Sequence, residues 1–439
     1  MDFLWLYVGA VALALVWYVR RQRRTDAVNR AELTEAQQSG LAEPASLHPV
    51  VHPGLCIGSG ACVTSCPEDA LGLVDGKAVL KNASACIGHG ACQTACPFDA
   101  ITLVFGTEKR GVDIPEVGPD FQSNVPGLYI AGELGGMGLI RKAAEQGRQA
   151  VDAIHRRLAA SGAVGAAGDE VLDLLIVGCG PAGLSAGLAA LAHKLHFRVI
   201  EQEDALGGCV YHYPRNKITM TSPVELALVG KVRFGEVQKE RLLAFWQDAV
   251  SRTGLQIGFS ERMEAVTQDA DGLFSVRTSR TSYRARTVLL ALGRRGSPRK
   301  LDVPGEEQPK VVYRLIDAEQ YRGQHVLVVG GGDSALEAAI ALSNEPGTTV
   351  TLSYRSEAFS RVKTANRLRL AHQQQAGRLR VELSSTVQAI GRDSVRLKTP
   401  ASDALDLPND AVIVCAGGLL PTPLLKSMGI ALQTKFGTA

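Results

Sequence analysis

The sequence predicts an α/β protein with two Rossmann-like dinucleotide-binding domains, preceded by a small α+β domain and one N-terminal transmembrane helix. Two glycine-rich motifs predict the Rossmann-like domains, because Gly178–Gly183 and Gly330–Ala335 each follow an apolar strand pattern and open a helical pattern. A repeated cysteine motif predicts the small domain, and an uncharged N-terminal run predicts the transmembrane helix. A chain of 439 residues is long enough for about three domains.

The composition is that of an ordinary globular protein with a formal net charge of +3. Four positive charges lie together at Arg20, Arg21, Arg23 and Arg24, and the remainder is close to neutral, so there is no electrostatic case for a nucleic acid partner. Of the nine cysteines, six fall within residues 56–96. Clustered thiols in an otherwise cysteine-poor chain favour metal ligation in a reducing compartment over a disulfide framework.

The N-terminal run from Phe3 to Val19 contains 17 uncharged residues. As a helix it would extend about 26 Å, against a bilayer hydrocarbon core of about 30 Å. Tryptophan and tyrosine lie near both ends, and the basic cluster follows directly. We therefore predict a single-pass anchor in the inner (cytoplasmic) membrane of a bacterium, with the other domains facing the cytoplasm. A signal peptide or a packed helix is the alternative.

A cysteine motif occurs twice with a 30-residue offset, as CIGSGACVTSCP at Cys56–Pro67 and CIGHGACQTACP at Cys86–Pro97. Alternating apolar and polar residues around Asp75-Gly76 predict a β-hairpin between the two copies. The repeat resembles the bacterial two-cluster ferredoxin pattern, in which the fourth cysteine of each run binds the other cluster. The resemblance implies two sets of iron ligands, Cys56, Ser59, Cys62 and Cys96 in one and Cys66, Cys86, His89 and Cys92 in the other.

Each copy departs from the ferredoxin pattern at its second ligand, where Ser59 and His89 replace cysteine. An imidazole ligand donates less charge to iron than a thiolate and tends to raise the reduction potential. Serine is a poor ligand unless it is deprotonated, so the alternative to a 4Fe-4S cluster at that corner is a 3Fe-4S cluster. Two further alternatives are a pair of zinc sites and a ferredoxin fold that has lost its clusters.

The first glycine motif, Gly178-Cys179-Gly180-Pro181-Ala182-Gly183, predicts a dinucleotide site. Gly178 would make the tight turn, Gly180 would admit the pyrophosphate, and Gly183 would let helix and strand pack closely. Glu201 ends the next strand at the distance expected of a ribose ligand.

The second glycine motif, Gly330-Gly331-Gly332-Asp333-Ser334-Ala335, predicts another dinucleotide site. Its second strand lacks the terminal acidic residue that an NAD site would use. Arg355, Arg361 and Lys363 offer positive charge for a 2′-phosphate instead, which favours NADPH over NADH. The alternative for these residues is a solvated loop.

Residues 111–439 are similar to the thioredoxin-reductase-like branch of the pyridine nucleotide-disulfide flavoproteins. The stretches LGGCVYHYP, VLLALGRRGSPRKLDVPG and VIVCAGGLLPTP carry this resemblance, together with the glycine motifs. It implies FAD at the first motif and an NADPH domain inserted into the FAD domain. The family's closing FAD-binding segment does not follow Pro421 but is found upstream at Asn124–Ile154, which indicates a circular permutation. The resemblance adds Gly132, Glu133 and Gly208 to the FAD-binding residues, with Glu133 standing where the family normally has Asp.

No C-x-x-C pair is available to exchange electrons with the flavin. Ala182 stands where small-thiol disulfide reductases that resemble this branch carry cysteine, which counts against that activity. The simplest interpretation of Cys179, Cys209 and Cys415 is that they are small buried side chains with a structural role. Cys209 is the candidate catalytic thiol, because it follows Gly207-Gly208 near the expected flavin face.

We therefore predict a membrane-anchored oxidoreductase that passes electrons between NADPH, FAD and two iron-sulfur clusters, to or from a redox protein or membrane electron carrier. The alternatives are a disulfide reductase whose ferredoxin-like domain only docks partners, and a redox-sensing scaffold. A homodimer is a further expectation. The predicted division is an anchor with basic flank (1–24), a linker (25–48), a ferredoxin-like domain (49–107), a displaced FAD-binding segment (108–160), a second linker (161–170), the FAD domain (171–305), the NAD(P)H domain (306–415) and a return segment (416–439).

Overall fold

A long N-terminal helix, α1, spans Asp2–Gln38 and passes through the basic cluster without a break. The computed structural model describes residues 2–437 except 39–43, 45–46, 84, 87, 89, 108–110, 137, 163–164, 166–169, 214, 216, 221–222, 295, 297, 360–361, 363 and 420. Residues 25–38, predicted as a linker, are therefore helical. Their alanine, glutamate, glutamine and arginine content explains the difference, since these residues have high helix propensity.

The predicted membrane anchor is wrong. Within the ranges given above, no helix combines the length and the hydropathy that crossing a bilayer demands. The uncharged run is short for that purpose, and α1 continues from Val19 directly into the arginine cluster. The predicted single-pass topology and inner-membrane location are wrong for the same reason.

The C-terminal half of α1 packs on the small cysteine-rich domain. Asn29 is buried there, and its Nδ2 donates a hydrogen bond to the Leu73 carbonyl at 3.0 Å. Lys81 is also buried and forms ion pairs with Glu32 of α1 at 3.1 Å and with Asp69 at 3.0 Å. Because buried polar groups are costly unless they are paired, these contacts fix α1 against the domain.

The cysteine-rich domain is an internal repeat of strand, short helix and strand. Its outer strands pair antiparallel, from His48↔Val104 to Val51↔Ile101. Asp75 and Gly76 form the turn of the central hairpin with φ values of 51° and 70°, which confirms the predicted hairpin. The elements are β1 (His48–Val51), α2 (Ala61–Thr64), β2 (Leu71–Val74), β3 (Lys77–Leu80), α3 (Ala91–Thr94) and β4 (Ile101–Val104).

The next part of the chain forms an α/β domain around a largely parallel sheet. Its elements are β5 (Val112–Pro115), β6 (Leu128–Ile130), α4 (Ile140–Ala160), β7 (Val171–Val177), α5 (Pro181–Ala192), β8 (Phe197–Ile200), β9 (Ile218–Met220), β10 (Val224–Leu226), β11 (Gly230–Val232), β12 (Glu236–Gln238), α6 (Lys239–Thr253), β13 (Ile257–Gly258), β14 (Met263–Gln268), β15 (Phe274–Thr278) and β16 (Ser282–Leu290).

The order of this sheet is β13–β8–β7–β16–β15–β14, with β6 also pairing with β16. Residues Ile130, Leu290, Val177 and Ile200 are aligned as successive parallel partners. Each of these residues ends its strand, so the loops that follow meet at one edge of the sheet. This register brings the segment after β6, the first glycine motif and Glu201 to the same edge.

A second α/β domain has a parallel sheet in which Ser353, Val329 and Val414 are aligned at the carboxyl edge. The second glycine motif therefore begins at that edge. The elements are β17 (Val311–Val312), β18 (His325–Val329), α7 (Asp333–Ser343), β19 (Thr349–Ser353), α8 (Thr364–Gln375), β20 (Leu379–Glu382), β21 (Thr386–Ile390), β22 (Ser394–Thr399), β23 (Ser402–Pro408) and β24 (Ala411–Val414), with sheet order β17–β24–β18–β19–β20 and a separate meander β21–β22–β23.

The chain then returns to the first α/β domain through α9 (Thr422–Ser427) and β25 (Leu432–Lys435). Strand β25 pairs antiparallel with β5, from Leu432↔Pro115 to Lys435↔Val112. The Asn124 side chain also bonds this return, since its Oδ1 accepts from the Ala431 N–H at 2.8 Å. The segment upstream of the first glycine motif and the C-terminal return therefore lie side by side.

Candidate cofactor sites

The first glycine motif forms a turn that only glycine can make. Gly178 has a φ of 102°, and a Cβ there would lie 2.5 Å from the Ala291 carbonyl oxygen. A Cβ on Gly183 would collide with the Gly178 carbonyl oxygen. Pro181 begins α5, and Gly180, its extended N-cap, lies against Gly208. The helix therefore begins directly at the turn, where its free N–H groups can meet a phosphate.

Glu201 is buried at the end of β8, beside this turn. Its Oε2 accepts the Cys179 N–H at 2.6 Å, and its Oε1 accepts the Glu203 N–H at 3.1 Å. Burial raises the pKa of the Glu201 carboxyl, and the two backbone N–H groups oppose that shift. Each carboxylate oxygen keeps a second lone pair, so the group can still accept a ribose hydroxyl.

The segment between β6 and α4 packs against the same helix terminus. Gly132 has a φ of 83°, and a Cβ there would lie 3.0 Å from the Ala182 Cβ. Its N–H donates to Gln146 Oε1 of α4 at 2.9 Å. Helix α4 approaches α5 so closely that a Cβ on Gly147 would collide with the Ala182 carbonyl oxygen. The predicted residues Gly132 and Ala182 are thus neighbours although they are far apart in sequence.

Glu133 faces two groups from other segments. The Cys209 thiol donates to Glu133 Oε2 at 3.9 Å. Arg294 donates to the Asp113 carbonyl at 3.0 Å, and burial lowers the pKa of its guanidinium while the charges of Glu133 and Asp113 oppose that shift. Sequence reasoning missed Arg294, because an arginine after a crossover strand belongs to no motif. Its only signal was a basic residue immediately after an apolar strand.

The other two isolated cysteines, Cys179 and Cys415, lie in or beside the two glycine turns. Cys179 is fully buried, and burial together with the Glu201 charge holds the pKa of its thiol far above the usual range. A thiol in that state is a poor nucleophile. Cys415 follows β24, and its carbonyl oxygen occupies the space beside Gly330. The Cys209 sulfur, by contrast, contacts the carboxylate of Glu133, a predicted FAD-binding residue.

The second glycine motif also forms a glycine-dependent turn. Gly330 has a φ of 148°, and a Cβ there would collide with the Cys415 carbonyl oxygen. Gly332 is the N-cap of α7, and Asp333 lies in its first turn. Asn366 Nδ2 donates to Asp333 Oδ1 at 2.7 Å. Ser334 follows on α7, and Ala335 is buried against the sheet.

The loop after β19 lies over this turn. The Tyr354 ring fills the space beside Gly331 and stacks on Phe359, with ring centroids 5.5 Å apart and an interplanar angle of 10°. Arg355 is exposed next to it. Arg361 and Lys363, predicted to share the 2′-phosphate, lie outside the described residues.

The first set of predicted iron ligands surrounds one cavity. Cys56, Ser59, Cys62 and Cys96 all line it. Burial raises the pKa of the Cys62 thiol, and nearby Cys56 and Cys96 contribute to that shift. Backbone N–H groups donate to two of the sulfurs, from Ala78 to Cys56 at 3.4 Å and from Ala100 to Cys96 at 3.3 Å. Such N–H contacts stabilise thiolates and help to set cluster potentials.

The second set is arranged in the same way. Burial raises the pKa of Cys92 to about 11, with contributions from Cys86, Cys66 and Cys62. Burial also raises the pKa of Cys86, and Cys66 again contributes. His89 lies outside the described residues. Cys62 therefore lies near Cys56 and Cys96, and Cys92 lies near Cys86, Cys66 and Cys62.

A 4Fe-4S cluster and a single zinc ion require different arrangements of the thiols. In the described part of the chain, no three His, Cys, Asp or Glu side chains form a group that could hold a metal ion. In a 4Fe-4S cluster each cysteine binds a different iron atom, so the thiols are arranged around the whole cluster. Burial disfavours the thiolate forms of Cys62, Cys86 and Cys92, and the positive charge of bound iron would stabilise them.

Comparison with known proteins agrees with both halves of this description. The family model for pyridine nucleotide-disulphide oxidoreductases matches residues 175–437, and a 4Fe-4S dicluster domain matches residues 48–97. The chain is 30% identical over 271 residues to a ferredoxin–NADP reductase of Thermus thermophilus, which covers 60% of this chain and 77% of the relative. It is 25% identical over 268 residues to bacilliredoxin reductase Bdr of Bacillus subtilis, covering 60% and 82%.

Solved structures give the same fold. Bacillithiol disulfide reductase Bdr (YpdA) from Bacillus cereus superposes with a TM-score of 0.52 at 25% identity, covering 59% of this chain and 82% of that one. The Staphylococcus aureus protein of the same name gives 0.52 at 24%, covering 60% and 81%, and shows the fold alone. The chain therefore belongs to the pyridine nucleotide-disulphide oxidoreductase family, as an FAD- and NAD(P)H-dependent, thioredoxin-reductase-like enzyme joined to an N-terminal 4Fe-4S dicluster domain.

Proposed function

We propose that this enzyme transfers electrons between NADPH and a one-electron redox protein through FAD and two 4Fe-4S clusters. The balanced reaction is NADPH plus two oxidised carriers giving NADP⁺, one proton and two reduced carriers. The observation that carries the proposal is the presence, in one chain, of a thiol-lined cavity in the cysteine-rich domain and a complete dinucleotide turn. A flavin accepts a hydride and releases electrons singly, so it is the natural converter between these cofactors.

The FAD site comprises the residues at the carboxyl edge of the first sheet. In this proposal α5 and its glycine turn hold the pyrophosphate, Glu201 accepts a ribose hydroxyl, and Gly132, Glu133 and Gly208 approach the rest of the cofactor. Their convergence on the N-terminus of α5 supports the assignment. Bound FAD would supply the hydride acceptor, and the protein would position it and tune its electrostatics.

We propose NADPH rather than NADH as the nicotinamide substrate. Strand β19 ends at Ser353 without an acidic residue, and exposed Arg355 follows two positions later. A 2′-phosphate needs cationic partners of this kind. The Thermus thermophilus relative is named for NADP and ferredoxin, which also supports NADPH and a ferredoxin-like carrier.

The clusters would be held by the three thiols of each set, with Ser59 and His89 at the fourth corners. A 3Fe-4S cluster is the alternative at the Ser59 corner. The cavity lining and the N–H contacts to sulfur support cluster binding.

We also propose that the FAD domain is circularly permuted. Helix α4 lies on α5, and β6 pairs in the same sheet as β7, yet both elements precede the family match at residue 175. The adjacency of β5 and β25 supports this order, because two segments that a permutation separates in sequence remain neighbours in space.

Disulfide reduction is the second candidate function, and Cys209 is the observation that favours it. Its thiol lies beside Glu133, and the Bacillus subtilis relative is named a bacilliredoxin reductase. The absence of a C-x-x-C pair from the sequence is against it. A Cys209→Ser enzyme should keep NADPH oxidation with one-electron acceptors, whereas loss of that oxidation would favour the thiol route.

The test of the main proposal is an anaerobic addition of NADPH to the full chain. Flavin absorbance at its visible maximum should bleach, and EPR signals of reduced clusters should follow. Flavin bleaching without any cluster signal, in protein whose clusters dithionite reduces, would refute electron transfer between them.

A further inference from the structure

We infer that the two clusters are reduced in a fixed order. Electrons from the flavin would first reach the cluster held by Cys66, Cys86 and Cys92 and then the cluster held by Cys56, Cys62 and Cys96. We call the former the inner set and the latter the outer set. This inference rests on the proposed electron-transfer function and adds its route and its exit. It follows from which end of the cysteine-rich domain contacts the turn after β6, which carries the predicted FAD-binding residues Gly132 and Glu133.

Phe105 makes the contact between the two domains. It directly follows β4, and its ring carbon Cζ lies 2.6 Å from where a Cβ of Gly136 would be, so the ring rests on the bare face of that glycine. Its carbonyl accepts the Gly437 N–H of the C-terminal return at 2.8 Å. Gly136 ends the short turn that carries Glu133. Phe105 therefore connects the cysteine-rich domain with the predicted flavin site.

The inner set lies at the Phe105 end of this domain. Gly88, two residues after Cys86, has a φ of 74° and packs directly on the Leu47 backbone, where a Cβ would collide. Leu47 precedes His48, which pairs with Val104, the neighbour of Phe105. The loop that carries Cys86 is thus next to the junction with the FAD domain.

The outer set lies at the opposite end. The β1–β4 pair ends there at Val51↔Ile101, roughly 10 Å along the strands from the other end. Gly58, two residues after Cys56, packs on the Gly76 carbonyl in the hairpin turn. The matched glycines Gly58 and Gly88 therefore place the two halves of the repeat at opposite ends of the domain.

The outer set also faces solvent. Ile57 and Phe98 line the cavity of Cys56, Cys62 and Cys96 and are 64% and 48% exposed. An external carrier can approach these side chains without passing the FAD domain.

The two sets are adjacent inside the domain. Cys62 of α2 and Cys92 of α3 are both buried, each 6% exposed. The Ser65 hydroxyl also donates to the Ala91 carbonyl at 3.4 Å, which joins the segments of α2 and α3. An electron on the inner set therefore has a short way to the outer set.

Matched variants of the full-length enzyme test this order, because Cys56 and Cys86 occupy the same position in the repeat. NADPH would be mixed anaerobically with each variant and followed by freeze-quench EPR, with cytochrome c as the external probe. In Cys56→Ala the inner cluster should be reduced at the wild-type rate while cytochrome c reduction is lost. In Cys86→Ala the outer cluster should stay oxidised with NADPH, although dithionite reduces it. The opposite pattern would overturn the order.

A cysteine variant can lose its iron altogether. A second pair of variants therefore tests the order of reduction with all six thiols in place. Phe105→Leu should slow NADPH-driven reduction of the inner cluster without changing iron content or flavin bleaching. Val50→Ala, at an exposed position of β1 outside the cavity lining, should leave that step unchanged. Equal effects of the two substitutions would contradict the inference. If NADPH reduces no cluster in the wild type, the proposed function itself fails, whereas a reversed order refutes only this inference.

Discussion

The Glu201 carboxylate accepts the Cys179 N–H at 2.6 Å, a bond that ties the end of β8 to the first glycine turn. The other carboxylate oxygen, Oε1, accepts the Glu203 N–H at 3.1 Å. One buried side chain thus fixes the turn and remains an acceptor for a ribose hydroxyl.

Replacing Glu201 should therefore weaken FAD binding. In Glu201→Gln one oxygen becomes an NH₂ group, which cannot accept an N–H, so the affinity for FAD should fall about tenfold or more. The measurement is the FAD dissociation constant by fluorescence titration of the flavin-free protein. Glu203→Gln is the matched control, because that carboxylate pairs with His212 at 3.4 Å instead. Equal loss in both variants would argue against a specific role for Glu201.

The raised pKa of Glu201 also predicts a pH dependence of stability. A carboxyl whose pKa is higher in the folded than in the unfolded state contributes stability below the ordinary value of 4.5, and that contribution is lost as pH rises through the folded pKa. The Tm of the flavin-free wild type, relative to Glu201→Gln, should therefore be lower at pH 8 than near pH 4.5. A difference in Tm that is constant or has the opposite slope would show that burial does not dominate this site.

The close contact of α4 and α5 predicts that Gly147→Ala is destabilising. Overpacking of this kind costs about 1–3 kcal/mol, and alanine recovers at most about 1 kcal/mol through helix propensity. We expect the Tm to fall by several degrees and bound FAD to decrease. Gly187→Ala in α5 is the control, because its Cβ would meet only side-chain carbons of Leu255 and Val199 at 3.1–3.2 Å. A Gly147→Ala protein as stable as this control would contradict the packing.

Arg355 should set the preference between the two nicotinamide cofactors. Arg355→Glu should raise the KM for NADPH by about 10–100-fold, the value of one or two charge-assisted hydrogen bonds, and leave NADH kinetics unchanged. Steady-state kinetics with ferricyanide measures this. Arg392→Glu, an exposed arginine in the turn between β21 and β22, is the control for added negative charge. Unchanged NADPH kinetics in Arg355→Glu would count against the 2′-phosphate site.

Local patterns could be predicted from sequence because their residues are near neighbours in the chain. The Asp75-Gly76 hairpin and both glycine turns are set by backbone conformations that few residues adopt. The 4Fe-4S dicluster domain was likewise predicted from the spacing of cysteines within a known pattern.

Long-range contacts could not be predicted in this way. The Phe105–Gly136 contact and the position of Arg294 beside Glu133 depend on how separate segments pack, which no periodicity encodes. The anchor prediction failed because it considered the 17-residue apolar run alone, whereas that run is part of a longer helix that continues into charged residues. Asn29 and Lys81 then hold the polar half of that helix against the cysteine-rich domain, where a linker was predicted.

The most direct test of the account is an anaerobic titration of the purified full chain with NADPH. FAD takes up two electrons and each cluster one, so full reduction should consume about two NADPH per chain, with EPR signals of both clusters at the end point. An end point at about one NADPH per chain, with only the flavin bleached and the clusters still reducible by dithionite, would contradict it.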